Sequence, residues 1–430
     1  MLECFIFLLG KTMKKVLVVS PFFPPFSKVG ATKRIESFVR YLPGCRWKPI
    51  VLAMDWGYSD LTGQDDKKIY FTRNIAYASW KAYQAADIDR TSSWETLFMK
   101  KLIGLLRVIK KYILVPDELV LWIFWALSKA GQIRKKEKPD VMLVTAPPYS
   151  SLLTAVVLKK FLKIPLVCDI RDDWGGNPLI EKDSRTLRGI EGKMERWVVN
   201  NADRILLMTT ASLEHWRRRY PDRKDKFSLI PNGYNEEEFS SVPEYVFQNF
   251  ALVHVGSLES NRSPELLYKA LSGIAARAKD IHFYQYGLAL RVFDEMAARY
   301  GIRDVVHFEG FIGSDEAVAR IKGASLLVLL PTQNAPSAIP GKAYEYLRTG
   351  KPVLLISGEN ATTDFMKKFP QVHHVLPDDE AACLETIRKI YEEKDQGNTV
   401  VQSGEIKKFE RKELTRLLAE ELDALLKKEN

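Results

Sequence analysis

Residues 331–356 have the sequence PTQNAPSAIPGKAYEYLRTGKPVLLI, which encodes a loop, a helix and a strand in succession. Pro340 suits the first position of a helix, where its missing N–H costs nothing. Gly350 and Pro352 end that helix, since glycine caps a C-terminus and proline cannot continue one. The apolar run Val353–Ile356 then predicts a buried strand. This succession is typical of a connection in an α/β fold.

The predicted start of this helix is a candidate anion site. Its first amides, around Ile339, Gly341 and Lys342, lie at the positive end of the helix dipole and lack partners within the helix. The Lys342 side chain adds a full positive charge. Glu345 follows on the same helix face, where its carboxylate can accept hydrogen bonds from a ribose. The spacing fits a nucleoside diphosphate, and it equally fits an ordinary connection with a surface ion pair.

The stretch resembles a known family. Residues 339–354, IPGKAYEYLRTGKPVL, resemble the nucleotide-sugar loop of the retaining GT-B glycosyltransferases of family 4, the glycosyl transferases group 1. The shared pattern is Pro-x-Lys-x-x-Glu-Tyr-Leu, here Pro340, Lys342, Glu345, Tyr346 and Leu347. The resemblance implies that Glu345 is the ribose ligand. Ser337 stands where many relatives carry a further glutamate for the donor sugar.

Length and composition fit a two-domain α/β protein. At 430 residues the chain is long for one hydrophobic core, so we expect two domains of about 200 residues each. Its four cysteines are widely spaced and include no Cys-x-x-Cys pair. We therefore expect a cytoplasmic protein with neither a disulfide framework nor a zinc site.

The net charge of +10 fits an anionic membrane surface or nucleic acid as a partner. Because the sequence carries no RNA- or DNA-binding signature, we expect no nucleic-acid partner. A basic amphipathic helix predicted at 100–113 either lies on the inner face of the membrane, near a lipid-linked acceptor, or packs on the sheet. The aromatic run Leu119–Ala126 predicts core packing. Neither segment has the ~20 apolar residues of a membrane span.

The beginning of the chain has the strand, loop and helix of a doubly wound sheet. Lys15–Ser20 predicts the strand, Gly30 lies in the loop at its carboxyl end, and apolar residues between 35 and 42 recur at helical spacing. We expect residues 1–12 to be an upstream start or a tail. The resemblance implies that the Gly30 loop approaches the donor phosphates or the acceptor.

Charged residues also cluster where a later strand, Ile164–Asp169, ends. The pattern Asp-x-Arg-Asp-x-Trp at 169–174 resembles the N-terminal domain of the same family, whose members often place a histidine in this loop. No histidine precedes His215 here. The resemblance leaves Asp172 as the polar group near the reacting centre, with Arg171 as its partner. A structural pair that fixes the loop is the alternative.

The second half of the chain begins with the same order of strand, loop and helix as the first half. Phe250–Ser257 predicts a strand, and Arg262 follows in the next loop. The resemblance implies that Arg262 binds the donor diphosphate, which suits a permanently charged guanidinium; a surface arginine is the alternative. Later strands end at Gly287 and near Phe311, which either contacts the base or belongs to the core.

These features predict a GT-B fold, in which two facing Rossmann-like domains with parallel sheets are joined by a C-terminal helix that crosses back to the first domain. The boundaries fall at 13–238 for the acceptor domain, 249–404 for the donor domain and 405–430 for the crossover helix. An apolar stripe in that last segment supports the helix; it consists of Leu414, Leu417, Leu418, Leu422 and Leu425.

The resemblance implies a retaining glycosyltransferase that moves a sugar from a nucleotide-sugar to an acceptor hydroxyl. We expect a saccharide or lipid-linked acceptor and a role in cell-surface polysaccharide or glycolipid synthesis, with no essential metal or cofactor. The catalytic candidates are Asp172, Arg171, Arg262 and Lys342. The candidate nucleotide-sugar ligands are Gly30, Gly256, Ser257, Gly287, Phe311, Ser337, Ile339, Pro340 and Glu345. A sugar-nucleotide epimerase and a non-catalytic nucleotide-binding scaffold are the alternatives.

Overall fold

The computed structural model divides into two compact units. It describes residues 13–24, 32–57, 68–73, 114–174, 184–275, 278–333, 335–394 and 404–428. The first unit contains the chain up to Met208, then Leu213–Ile230 and the residues from Thr415 onward, and the second contains Thr209–Ser212 and Pro231–Leu414. Residues 1–12, Gly30 and the basic helix predicted at 100–113 lie outside the described residues.

A parallel sheet forms the centre of the first unit. Its strands are β1 (Lys14–Val19), β2 (Trp47–Met54), β3 (Lys68–Thr72), β4 (Val141–Ala146), β5 (Leu166–Ile170), β6 (Arg204–Leu207) and β7 (Phe227–Leu229). Their spatial order is β3-β2-β1-β4-β5-β6-β7. The central strands are continuous apolar runs, because helices cover both faces of a parallel sheet.

Helices follow the strands as the Rossmann pattern requires. In the first unit they are α1 (Thr32–Tyr41), α2 (Ile123–Lys136), α3 (Ser150–Leu162), α4 (Arg185–Asn201) and α5 (Thr210–Arg219), the start of which groups with the second unit.

The second unit repeats the architecture. After a short helix, α6 (Glu236–Ser241), its parallel strands are β8 (Phe250–Val255), β9 (Ile281–Tyr286), β10 (Val306–Gly310), β11 (Leu326–Leu329), β12 (Val353–Ile356) and β13 (Val372–Val375). Their spatial order is β10-β9-β8-β11-β12-β13. The helices are α7 (Glu265–Ala275), α8 (Arg291–Arg299), α9 (Ser314–Gly323), α10 (Gly341–Thr349), α11 (Ala361–Met366) and α12 (Glu380–Glu392). Apolar clusters cover both faces of this sheet.

The last helix, α13 (Arg411–Lys428), begins in the second unit and continues in the first. Lys14 contacts Asp423 at 2.6 Å and Arg204 contacts Glu421 at 2.9 Å, so both ion pairs hold the helix on the first sheet. Its predicted apolar stripe is buried at Leu418 and Leu422. The predicted fold of two Rossmann-like domains with a returning C-terminal helix is confirmed.

Two local predictions need correction. Helix α10 begins at Gly341, and Pro340 is its N-cap residue in extended conformation rather than its first helical residue. In the aromatic run Leu119–Ala126, Trp122 is buried but Phe124 is 64% exposed, because the helix turns its side chain away from the sheet. No helix of the described segments is long and apolar enough to span a bilayer.

Candidate active site

The loop before α10 is fixed by the neighbouring helix α11. The Ala361 N–H donates to the Pro336 carbonyl at 2.9 Å, and the Thr362 hydroxyl donates to the Ala338 carbonyl at 2.9 Å. Ser337 and Ile339 are half-buried between these contacts. The first amides of α10 therefore have a defined position, and the helix dipole adds a positive potential there.

The first turn of α10 contains the predicted ion pair. The Lys342 ammonium lies 2.5 Å from the Glu345 carboxylate, and the Glu345 side chain is only 8% exposed. Glu345 is thus too buried for a freely solvated surface contact. A ligand that binds either group must compete with an ion pair that is already formed.

Backbone segments approach closely where β8 and β9 end. The Gly256 N–H donates to the Tyr286 carbonyl at 2.8 Å. Gly287 has a φ of +134°, and a β-carbon there would lie 2.6 Å from the Gly256 carbonyl oxygen. Only glycine fits position 287 without strain. The Gly287 N–H in turn donates to Gly310, next to Phe311.

Buried polar atoms without hydrogen-bond partners gather in the loops after β8 and β11. In the described part of the chain they are His254 Nε2, Asn261 Oδ1, Arg262 Nε and Thr332 Oγ1. A buried polar atom without a partner costs about 1–3 kcal/mol. Such a cost is tolerated where a ligand or water supplies the missing partner.

His254 is the residue of this group that the sequence analysis missed. It is 3% exposed, and its Nδ1 lies 3.0 Å from the Val328 carbonyl oxygen on β11. Burial is the main cause that lowers its pKa to about 4; the Val328 contact opposes this shift, and the charges of Arg262 and Lys342 add to it. Arg262 and Lys342 therefore both lie close enough to His254 to affect the pKa of its ring. A polar residue near the carboxyl end of an apolar strand is the signal that could have found it.

Phe311 lies on the surface. Its side chain is 78% exposed, so it does not belong to the core. Leu288, which follows Gly287, is exposed as well. These apolar side chains lie after β9 and β10, and the contact of Phe311 with a base stays a prediction.

The carboxyl end of β5 in the first unit holds a buried ion pair. Asp169 is fully buried and accepts hydrogen bonds from the Arg34 guanidinium at 2.9 Å and from the Thr145 hydroxyl at 3.1 Å. Arg34 also donates to the Ile230 carbonyl at 2.8 Å. These bonds tie α1, β4, β5 and the end of β7 together.

The predicted Arg171–Asp172 loop follows directly. Arg171 donates through Nε to the Ala146 carbonyl at 3.2 Å and through its terminal nitrogen to the Pro147 carbonyl. The Tyr149 hydroxyl donates to the Asp172 and Asp173 carbonyls, both at 3.1 Å. The loop is thus anchored mainly through its backbone.

Asp172 presents its carboxyl at the surface of this loop. The residue is exposed, yet nearby protein atoms displace enough water to raise its pKa, and the Arg171 charge lowers it in part. Asp173 accepts a hydrogen bond from the Trp216 indole at 2.7 Å. Asp172 is therefore the carboxylate of the loop that faces solvent.

Family comparisons assign both halves of the chain. Residues 81–238 match the family described as Glycosyltransferase Family 4, and residues 236–407 match Glycosyl transferases group 1. The chain belongs to the group 1 glycosyltransferases. The predicted family and enzyme class are thus confirmed. No curated protein matches this glycosyltransferase in sequence.

Solved structures share the fold of this glycosyltransferase. HepE from Anabaena, solved in complex with UDP, is 15% identical with a TM-score of 0.65, covering 96% of this chain and 100% of HepE. Sucrose-phosphate synthase from Thermosynechococcus elongatus is 14% identical with a TM-score of 0.67, covering 97% and 100%. A putative UDP-N-acetylglucosamine 2-epimerase from Listeria monocytogenes is 10% identical with a TM-score of 0.56, covering 96% and 97%.

Most predicted ligands of this glycosyltransferase lie in its second unit. Gly256 and Gly287 meet through their backbones, and Arg262 and Lys342 both act on His254. Arg171 and Asp172 belong to the first unit. Across the described segments, no three His, Cys, Asp or Glu side chains are grouped closely enough to hold a metal ion.

Proposed function

We propose that this glycosyltransferase moves a sugar, with retention of anomeric configuration, from a nucleoside diphosphate sugar to an acceptor hydroxyl. The acceptor is a saccharide or a lipid-linked saccharide for cell-surface polysaccharide or glycolipid synthesis, reached from the cytoplasm at the inner face of the membrane. The observation that carries the proposal is the unpartnered Nε of Arg262, a cation that acts together with Lys342 of α10 on the buried His254 ring.

The diphosphate would lie between two sources of positive charge. Arg262 can bind phosphate oxygens through several N–H groups, and it lacks a protein partner at Nε. Lys342 and the first amides of α10 supply the second source. Charge that develops on the leaving diphosphate would be stabilised by groups already in place.

The nucleoside would extend from this point. Glu345 is proposed to accept hydrogen bonds from the ribose hydroxyls, and Phe311 to contact the base. A ribose contact must compete with the 2.5 Å Lys342–Glu345 pair. Donor binding would then release Lys342 from Glu345 and direct it to phosphate.

The transferred proton needs no dedicated protein base in this proposal. A diphosphate oxygen can accept it from the acceptor hydroxyl, and Asp172 is the carboxylate proposed to orient that acceptor with Arg171 close by. We propose that the transfer needs no metal, since Arg262 and Lys342 supply the charge that a metal would offset.

A thermal-shift screen with UDP, GDP, ADP and CMP tests the donor site. A ligand that binds the native state raises the melting temperature by mass action. We expect one nucleotide to stabilise the wild type, and to have little effect on Lys342→Ala or Glu345→Ala. Lys367→Ala is the matched control, because Lys367 pairs with Glu359 at 2.7 Å on the surface.

Each outcome has a distinct meaning. If no nucleotide stabilises the wild type, the proposed donor site is wrong; if one does but no sugar is transferred, the scaffold alternative is favoured. If a donor binds, its incubation without acceptor must leave the sugar configuration intact; an epimerised sugar would identify an epimerase. With acceptor, the anomeric configuration of the product, read by NMR, tests retention.

A further inference from the structure

The ring of His254 has one bonded and one unbonded nitrogen. Nδ1 lies 3.0 Å from the Val328 carbonyl oxygen, which can only accept, so Nδ1 carries the proton of the neutral ring. Nε2 then has a lone pair, and it is buried without a partner. A neutral His254 accepts at Nε2, and a protonated one donates there.

A glycine, Gly256, lies directly beside Nε2. A β-carbon at position 256 would lie 3.1 Å from Nε2 and 3.5 Å from Cε1. Among the described residues, no other heavy atom outside the flanking positions comes within 4 Å of that point. A side chain at position 256 would therefore lie against Nε2, whereas the glycine keeps that space beside the ring.

We propose that His254 is a further donor-binding residue, which takes up a proton as the diphosphate binds and donates its Nε2–H to a phosphate oxygen. The inference rests on the proposed function, since it requires a diphosphate beside Arg262 and Lys342. Nothing in the sequence pattern assigns this role to a strand residue.

The charges around His254 favour this coupling. Arg262, in the loop after β8, and Lys342, on α10, both act against its protonation. Glu345 offsets Lys342 in part through their ion pair. The groups that face His254 from β9 and β11, Gln285 and Val328, are neutral. A bound diphosphate offsets both cations, so the imidazolium becomes favourable where the free site disfavours it.

The consequence is a donor affinity that depends on pH. The pKa of His254 in the free site is about 4, and in the complex it must be higher. Between these two values binding takes up a proton, so affinity falls up to tenfold for each pH unit of increase. Above the pKa of the complex, affinity no longer changes with the charge of His254.

Isothermal titration calorimetry measures the proton directly. UDP-glucose, GDP-mannose and ADP-glucose are suitable probes, because their diphosphates do not titrate near neutral pH. The tightest binder is titrated at about pH 6, just below the ordinary pKa of histidine, in two buffers of different ionisation enthalpy. We expect the wild type to take up a measurable fraction of one proton.

Two variants test whether that proton binds to His254. His254→Asn keeps a donor for Val328 but lacks Nε2, and Gly256→Ala keeps the ring but covers Nε2. Both are expected to bind without proton uptake and with an affinity that changes little with pH. His374→Asn is the matched control, because His374 also contacts a backbone carbonyl, that of Ser357 at 2.7 Å, from β13. It should behave as the wild type.

The outcomes separate this inference from the proposed function. Binding without proton uptake, or the same uptake in His254→Asn, overturns the role of His254 and leaves the donor site standing. Absence of binding by all three probes overturns both. If His254→Asn does not fold, NMR of wild-type protein labelled at histidine Cε1 decides: a resonance that titrates at about pH 4 must shift its titration upward with donor.

Discussion

The carboxyl ends of the two sheets differ in how their charged groups are bonded. At the end of β5, Arg34 and Asp169 bond to each other and to neighbouring protein atoms. At the end of β8, His254 Nε2 and Arg262 Nε are buried without partners. The Trp174 indole N–H in the first unit is also unpartnered, but the Arg171 and Asp173 side chains beside it are bonded.

The difference separates charged groups that stabilise the fold from polar groups that are proposed to bind a ligand. A bonded buried charge becomes costly when its partner is removed, because the remaining charge stays desolvated. An unbonded polar group already carries a desolvation cost in the free protein. Removing it should reduce ligand binding and leave stability intact.

The largest effect is expected for Arg34→Met. This change leaves Asp169 buried and charged, so the free energy of unfolding of the first unit should fall by about 3–5 kcal/mol. All nine tryptophans precede residue 217, so tryptophan fluorescence during urea unfolding reports this unit. Arg40→Met, an exposed arginine on the same helix, is the control. A loss below about 1 kcal/mol would contradict the structural role.

Lys342→Ala tests a cation of the proposed donor site, which is paired with Glu345 in the free protein. Loss of one preorganised charge at the leaving diphosphate should lower kcat/KM for the donor about 10²–10³-fold. The tryptophan-detected unfolding of the first unit should not change, whereas the second unit should lose stability, because Glu345 stays buried without its partner. Lys367→Ala should keep full activity, since its pair is exposed. Equal losses in both lysine variants would place Lys342 outside the donor site.

The lowered pKa of His254 predicts that the second unit loses stability in acid. Its pKa falls from 6.5 in the unfolded chain to about 4 in the native state, so the unfolded chain binds more protons between these values. Stability contributed by the neutral ring is present above pH 6.5 and is lost as pH falls towards 4, by about 3 kcal/mol in total.

Circular dichroism of urea unfolding at several pH values checks this loss. Because the second unit lacks tryptophan, the transition not seen by fluorescence belongs to it. His254→Asn should remove this component of the pH dependence, whereas His374→Asn should retain it. An unchanged slope in His254→Asn would show that the ring already titrates normally.

The smallest effect on the fold is expected for Arg262→Met. Without the guanidinium the donor should bind about 10–100-fold more weakly, because a hydrogen bond to a charged group contributes about 1.5–3 kcal/mol. The free energy of unfolding should stay the same or rise, since an unpartnered Nε is removed. Calorimetry and urea unfolding test the two parts. Arg291→Met, an exposed arginine of the same unit, should change neither.

The sequence was sufficient where structure is local. Strand β12 has the predicted bounds Val353–Ile356, because an apolar run between a helix-ending glycine and a polar loop leaves few alternatives. Strand β3, Lys68–Thr72, was not predicted, since an edge strand is half-exposed and its apolar pattern is weak. The domain boundaries stay predictions.

The contacts of the candidate site also divide into local ones, which the sequence predicts, and distant ones, which it does not. Lys342 and Glu345 are three residues apart, so helix geometry alone brings them together. The partners of Asp169 and His254 come from distant segments: Arg34 is 135 residues before Asp169, and Val328 is 74 residues after His254. The packing of α1 on the first sheet and the pairing of β8 with β11 determine these contacts, and the sequence does not reveal either.

Helix α13 makes the first unit discontinuous along the chain. Thr415 and the residues after it complete a core whose strands lie between residues 14 and 229. A chimera that exchanges the first unit must therefore transplant this terminal segment together with the front of the chain. An exchange at a single crossover point near residue 231 would mismatch Lys14 with Asp423 and Arg204 with Glu421. Recombination that exchanges the whole first unit of this enzyme requires two crossover points.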